Sequence, residues 1–341
     1  MHVTAFPWTH LRALLCAVCT VLAAGVPARG AAQVARTEIH PFASTTLTDQ
    51  EFLAGKKEGK PVTIAGELRL PRPGTDRPPA VVLLHGSGGL SGYVTDWVDD
   101  LNAMGVATFL VDSFTGRGIV NTNNDQSQLG RTAMIVDAYR ALELLNRHPR
   151  IDPGRILLLG FSRGGQAALY ASLKRFQRTH GTTGREFAAY VAFYPSCITS
   201  YHDDLEVSDR PIRLFHGTAD DYVPVAPCRA YVERLSAKGA NVQLTEYPGA
   251  GHVFDGRAYR PPVKLEKAQT ARRCSVVEGE EGALLNATTR QPFTWADPCV
   301  ELGPTVAYDE KASADVRKAV KELVTSVKSV TSVAPAQAPP R

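Results

Sequence analysis

Three side chains in this 341-residue sequence have the types and the order that nucleophilic catalysis needs: Ser162, Asp220 and His252. Ser162 stands in Gly160-Phe161-Ser162-Arg163-Gly164-Gly165, directly after the apolar run Ile156-Leu157-Leu158-Leu159 and before a helix-like pattern. A serine hydroxyl is a poor nucleophile until a neighbouring base removes its proton. Glycine on both sides lets the chain turn so sharply that the serine oxygen rises above a strand end. There it meets a helix N-terminus, where free N–H groups and the helix dipole favour negative charge. Gly-x-Ser-x-Gly is common by chance, and its place between a buried strand and a helix is what gives it meaning. The bland alternative is a tight turn that happens to contain serine.

The base should be a histidine, oriented by a carboxylate. Residues 211–217 and 241–249 read as two strands, and each is followed at once by a candidate. After the first comes Thr218-Ala219-Asp220-Asp221-Tyr222-Val223-Pro224, and after the second Ala250-Gly251-His252-Val253-Phe254-Asp255. Open α/β sheets build their sites at such carboxyl ends. Asp221 competes with Asp220 for the acid role, and the order of residues alone leaves both open. Either could instead cap a helix before Pro224. An oxyanion would need two donors. The Arg163 N–H is one, and Ser87 or Gly88, in the glycine-rich loop after residues 80–86, supplies the other. A dinucleotide loop at His85-Gly86-Ser87-Gly88-Gly89 fails its own pattern, because Ser91 stands where the third glycine belongs. His85 and His216 each end an apolar run before glycine, which suits bracing a turn rather than catalysis.

These residues need a scaffold. Residues 80–86, 106–114, 155–161, 187–195, 211–217 and 241–249 are strand-like, most of them continuously apolar, as strands buried on both faces are. Helical patterns lie between or after them at 95–105, 129–146, 164 onward, 226–239 and 309–330, while 62–71 alternates like an early antiparallel strand. Alternating strands and helices predict an α/β fold with a mostly parallel central sheet. Residues 256–306 break the alternation with an irregular insertion that is either functional or stapled. It covers the site, or it packs on the sheet far from substrate.

Arg12 precedes the apolar run 13–24 and a small-residue stretch, which predicts a signal peptide over 1–32, cut between residues 28 and 32. The run is too short to span a membrane. Removing Arg12 and Arg29 from the 38 Lys and Arg leaves 36 against 34 Asp and Glu. With no basic cluster, that balance argues against a nucleic-acid partner. Domain boundaries follow: signal 1–32, one domain 33–330, and a Pro/Ala-rich disordered tail 331–341. Four cysteines remain after the signal: Cys197, Cys228, Cys274 and Cys299. An even number in an exported chain favours disulfides, with three possible connectivities. Segments at neighbouring strand ends would pair Cys197 with Cys228, leaving Cys274 and Cys299 to close the insertion. No Cys-x-x-Cys survives, so no metal site is expected.

His85-Gly86-Ser87-Gly88-Gly89, Gly160-Phe161-Ser162-Arg163-Gly164-Gly165, His216-Gly217 with Asp220 and Val223-Pro224, and Gly251-His252 with Phe254-Asp255 together resemble the dienelactone hydrolase family of α/β-hydrolases. The resemblance spans roughly residues 60–260 and the last helix. It implies an α/β-hydrolase fold, no cofactor, and hydrolysis of a small ester or lactone by a Ser/Cys-Asp-His triad. Founding members use cysteine where this chain has Ser162 and carry a glutamate where it has His85-Gly86. The reading is therefore an exported, periplasmic or secreted, serine esterase. A serine peptidase of related fold, or an inactive binding module, are the alternatives.

Overall fold

The structure, a computed structural model, describes residue 2 and residues 36–73, 76–182 and 184–327. The expected signal peptide and C-terminal tail lie outside the described residues. An eight-stranded sheet carries the fold. Its strands are β1 (Arg36–Thr46), β2 (Lys60–Leu70), β3 (Ala80–Leu84), β4 (Ala107–Asp112), β5 (Ile156–Phe161), β6 (Tyr190–Phe193), β8 (Ile212–Gly217) and β9 (Val242–Tyr247), while the two-residue β7 (Thr199–Ser200) lies outside it. The order is β1-β2-β4-β3-β5-β6-β8-β9, antiparallel at β1–β2–β4 and parallel from there on. Strand order reverses at β3, between β4 and β5. Open α/β sheets bind ligands at such a switch point.

Continuous apolar runs become two-faced once folded. Val82 and Leu84 of β3, Leu158 of β5 and Ala192 of β6 enter the core that holds α3 (Ala133–Asn146), α4 (Arg163–Tyr170) and α6 (Ala226–Ala237). Their neighbours Val81 and Leu83 of β3, Leu159 of β5 and Phe193 of β6 enter a second core with α2 (Gly92–Ala103) and α7 (Glu310–Ser326). Both faces are covered, so no polar alternation survives in the sequence. The mostly parallel α/β fold expected from the sequence is the observed one.

Several elements differ from expectation. β1 has no counterpart among the expected strands, because an edge strand interrupted by Pro41 and half exposed shows little pattern. The short helices α1 (Asp49–Leu53) and α5 (Lys174–His180) also escape periodicity. Helix α2 begins three residues early, since Tyr93 and Val94 bury against the sheet despite Gly92. Helix α3 begins four residues late. The Asp49 carboxylate accepts from both the Thr132 N–H (2.8 Å) and its hydroxyl (2.9 Å), which holds residues 129–132 out of the helix. Helix α7 ends at Ser326 and is capped by Asp309, whose side chain accepts from the Ala312 N–H.

The insertion is not irregular throughout. It folds into six short strands: β10 (Val263–Lys264), β11 (Gln269–Thr270), β12 (Val276–Glu278), β13 (Leu284–Asn286), β14 (Glu301–Leu302) and β15 (Thr305–Val306). They pair as β10–β15, β11–β14 and β12–β13, and β12 also runs parallel to β7. Elements of two or three residues are too short to show a period. Cys274 is bonded to Cys299 inside the insertion, and Cys197 to Cys228 between the segment after β6 and helix α6. Arg175 grips the buried Glu278 with two hydrogen bonds and ties β12 to α5. Among the described residues no helix is long and apolar enough to cross a membrane.

Mapping of peptides without reductant should recover the pairs 197–228 and 274–299. Replacing Cys197 and Cys228 together by serine should lower unfolding free energy in urea by about 3 kcal/mol, because the bridge restricts a long loop of the unfolded chain. Crossed pairs, or an unchanged urea midpoint, would contradict this.

Candidate active site

Ser162 is the one residue between β5 and α4, at φ 53° and ψ −112°. Positive φ is a strained region for a residue with a side chain. Close approach of backbone imposes the turn. A Cβ on Gly160 would lie 2.0 Å from the Gly164 carbonyl oxygen. One on Gly164 would lie 2.3 Å from the Leu84 oxygen, and one on Gly165 2.4 Å from the Phe193 oxygen. Only glycine fits at the three positions, and helix α4 is thereby pressed onto the ends of β3, β5 and β6. The Ser162 N–H donates to the Phe193 carbonyl at 2.9 Å, which locks the turn to β6.

The structure brings Ser162, His252 and Asp220 into line. His252 Nε2 lies 3.0 Å from Ser162 Oγ, and Nδ1 lies 2.7 Å from Asp220 Oδ2. His252 and Asp220 are both buried. The carboxylate holds the proton on Nδ1 and leaves Nε2 free to accept from the hydroxyl. Asp220 Oδ1 accepts from the Tyr222 and Val223 N–H groups at 2.9 and 2.7 Å. Burial by itself would raise the Asp220 pKa. The charges and hydrogen bonds of His252 and His216 outweigh it and hold the group at about 2. Asp221 points elsewhere: its Oδ1 accepts from the Thr305 N–H at 2.8 Å and anchors the end of the insertion. His85 and His216 brace turns. The Ser113 N–H donates to His85 Nε2, so Nδ1 donates to the Gly86 carbonyl, while His216 Nε2 donates to the Val223 carbonyl.

A pocket opens beside Ser162, walled by Ser87, Gln126, Arg163 and Tyr222 from the main fold and by Gln269, Thr270, Ala271, Arg272 and Trp295 from the insertion. Of the two readings of the insertion, the one that makes it a pocket wall fits. The Arg163 N–H lies in the first turn of α4, where helical N–H groups lack an intrahelical acceptor. Ser87 lines the pocket and Gly88 does not. The Arg163 guanidinium is buried and donates to the carbonyls of Gln126, Leu129 and Gly130 and to Gln126 Oε1. Burial, then the nearby Arg131 charge, lower its pKa to about 10.

Two more pocket residues were not legible in the sequence. Arg131 is 7% exposed, and burial lowers its pKa. Its guanidinium stacks on Trp295 at 4.7 Å and Phe293 at 5.3 Å. Its Nη2 has no hydrogen-bond partner, while the Asp49 charge favours its charged form against burial. The Tyr222 hydroxyl is also buried, beside the Gln126 side chain. A lone arginine in a polar stretch and a tyrosine beside the acid carry no sequence signal. Their meaning lies in the pocket that folding places around them. Elsewhere, Glu38, His40 and His148 bring ligand-type atoms within 4.8 Å of one another. The Arg150 N–H donates to His148 Nδ1, so His148 Nε2 carries its ring's proton and donates to Glu38. The cluster is arranged for hydrogen bonding, not for holding a metal.

Residues 67–280 match the sequence pattern of the dienelactone hydrolase family. A Bradyrhizobium protein assigned as a 2-oxo-3-(5-oxofuran-2-ylidene)propanoate lactonase is 27% identical over 198 residues, 55% of this chain and 79% of that protein. A Methylorubrum extorquens protein assigned as a carboxymethylenebutenolidase is 25% identical over 228 residues, 60% of this chain and 77% of that protein. The crystal structure of a Klebsiella pneumoniae protein assigned as a dienelactone hydrolase superposes with a TM-score of 0.56 at 15% identity, covering 85% of this chain and 99% of that one. It shares the fold.

The depressed Asp220 pKa has a pH consequence. Unfolded, the group takes up its proton near pH 4, and folded only near pH 2. Its contribution to stability is therefore complete above about pH 4 and is lost as pH falls toward 2. Urea unfolding at a series of pH values should show Asp220→Asn losing less stability than the parent chain across that window. Parallel curves would contradict the assignment.

Proposed function

We infer the reaction from one premise: the chain belongs to the dienelactone hydrolase family and is a carboxylic ester hydrolase. The reaction proposed is cleavage of an ester or lactone through an acyl-enzyme on Ser162. His252 Nε2 takes the hydroxyl proton as Oγ bonds to the carbonyl carbon. The carbonyl π electrons move to oxygen, where the N–H groups of Arg163 and Ser87 stabilise the charge. Asp220 keeps the imidazole tautomer and stabilises the imidazolium. As the tetrahedral intermediate collapses, the C–O bond to the leaving group breaks and His252 returns the proton to the departing oxygen. Water, activated by His252, then releases the acid. The observation that carries this reading is the unbroken line from Ser162 through His252 to Asp220, with the second carboxylate oxygen saturated by two N–H groups.

The substrate proposed is an ester or lactone bearing an ionised carboxylate. A buried guanidinium nitrogen without a hydrogen-bond partner is costly, and a ligand carboxylate that accepts from it recovers that cost. Arg131 is such a group in the same pocket as Ser162. The names of the two curated relatives, a propanoate lactonase and a carboxymethylenebutenolidase, denote carboxylate-bearing substrates and support the reading. Two disulfides suit an oxidising compartment and support export after cleavage of residues 1–32, with residues 33–330 as the catalytic domain.

Ser162→Ala, His252→Ala and Asp220→Asn should each lower kcat on p-nitrophenyl acetate by about 10⁴-fold, and the Ser162→Ala/His252→Ala pair should be hardly worse than either alone. Asp221→Asn should stay within a few-fold of the parent. Labelling by a fluorophosphonate should vanish in Ser162→Ala. Arg131→Met should raise KM for a carboxylate-bearing ester by about 10- to 100-fold, the worth of a charged hydrogen bond, and leave p-nitrophenyl acetate little changed. Equal effects on both esters would refute the role of Arg131.

A further inference from the structure

Behind His252, outside the lining of the pocket, sits a buried carboxylate that the hydrolytic steps do not use. Asp255 is 0% exposed. Its Oδ2 accepts from Trp97 Nε1 at 2.7 Å and its Oδ1 from the Tyr194 hydroxyl at 2.8 Å. Tyr194 directly follows β6 at φ 37°, a conformation that a bulky side chain adopts only when its surroundings force it. Its N–H donates to the Phe215 carbonyl at 2.7 Å, and its ring packs on the His252 imidazole with centroids 4.6 Å apart. The Tyr222 ring also packs on the imidazole, at 4.8 Å. Asp255 lies three residues after His252 on the same loop, past Val253 at φ 57°. The Asp255–Tyr194 bond therefore closes a ring of contacts: from His252 along its loop to Asp255, across to Tyr194, and back onto the imidazole.

We propose that Tyr194 and Asp255 are positioning residues for His252, clamping the imidazole from behind so that Nε2 stays on the Ser162 hydroxyl. The proposal rests on the triad reading above. Neither residue lines the pocket, so neither touches substrate there. Packing alone would be served by phenylalanine at 194 and an apolar partner at 255. A buried carboxyl with two donors is a costly way to fill space, and its return is directional: the ring cannot slide without breaking a bond. A displacement of about 1 Å at a reacting group can cost up to about 10²-fold in rate.

Several groups face these residues. Around His252 are Ser162, Asp220 with His216 behind it, Tyr194 and Tyr222. Around Asp255 are Trp97, Tyr194, Tyr93, Tyr259 and Arg317, whose guanidinium stacks on Trp97. Burial raises the Asp255 pKa against the hydrogen bonds from Trp97 and Tyr194.

The deciding variant is Tyr194→Phe in the full chain, which keeps the ring and removes only the hydroxyl. With p-nitrophenyl acetate, kcat should fall about tenfold at unchanged KM, within the range set by small displacements of a reacting group. In Asp255→Asn, which removes the carboxylate and keeps its shape, kcat should likewise fall at unchanged KM. A parent-like kcat, with or without a lower Tm, would reduce the network to packing and overturn the proposal. If Asp255→Asn does not fold, Tyr194→Phe decides alone. Ser162→Ala, assayed in parallel, separates the two readings: activity surviving there would overturn the triad, not the clamp.

Discussion

Everything near the site depends on how closely one helix approaches three strand ends. Gly160, Gly164 and Gly165 let α4 press against the carbonyls of Leu84 and Phe193 more tightly than any side chain allows. That approach sets Ser162 at positive φ and aims its oxygen across the sheet edge, with the Arg163 N–H in the first turn beside it. A single Cβ at these positions would push the helix outward and carry the serine away from His252. Strain in the Ser162 turn is held by the surrounding sheet, whose core strands are buried on both faces.

Charge is the second constraint. The sheet's carboxyl edge holds groups that water would normally solvate: Asp220, Asp255 and the neighbouring guanidiniums of Arg131 and Arg163. Each has a different solution. Asp220 is compensated by histidine and two backbone N–H groups, and Asp255 by a tyrosine and a tryptophan. Arg163 donates through Nη1 and Nη2 to carbonyls and to Gln126, while its Nε has no partner. Arg131 is held by aromatic faces, and its Nη2 stays without a partner. An interior satisfies its polar groups wherever it can, and Arg131 Nη2 is among the buried atoms left without a partner.

The insertion connects these themes. Its Phe293 and Trp295 hold Arg131, and its Gln269 side chain accepts from the Gln126 N–H. Arg272 binds Asp221, so the residue that competed for the acid role serves as an anchor. The Cys274–Cys299 bond and the Arg175–Glu278 pair keep this wall in place with little regular structure of its own.

Local chemistry made much of this legible in advance. Strand-length apolar runs, glycines around Ser162, and the order serine, aspartate, histidine after successive strands need only near neighbours to be read. They yielded the α/β architecture and the three residues that the structure aligns. Elements whose stability comes from distant partners stayed hidden. The edge strand β1 exists because β2 pairs with it, and the start of α3 is set by Asp49, far earlier in the chain. Asp220 could be separated from Asp221 only by the family resemblance until the fold showed which carboxylate meets His252 and which meets Thr305. Arg131, Tyr222 and Tyr194 lay beyond sequence reasoning altogether, and Asp255 was legible only as part of the motif around His252, with no role attached. A side chain's type and spacing report its bond to the local backbone, whereas burial, a missing partner or a ring stacked on an imidazole are relations among segments far apart in the chain, and those exist only after folding.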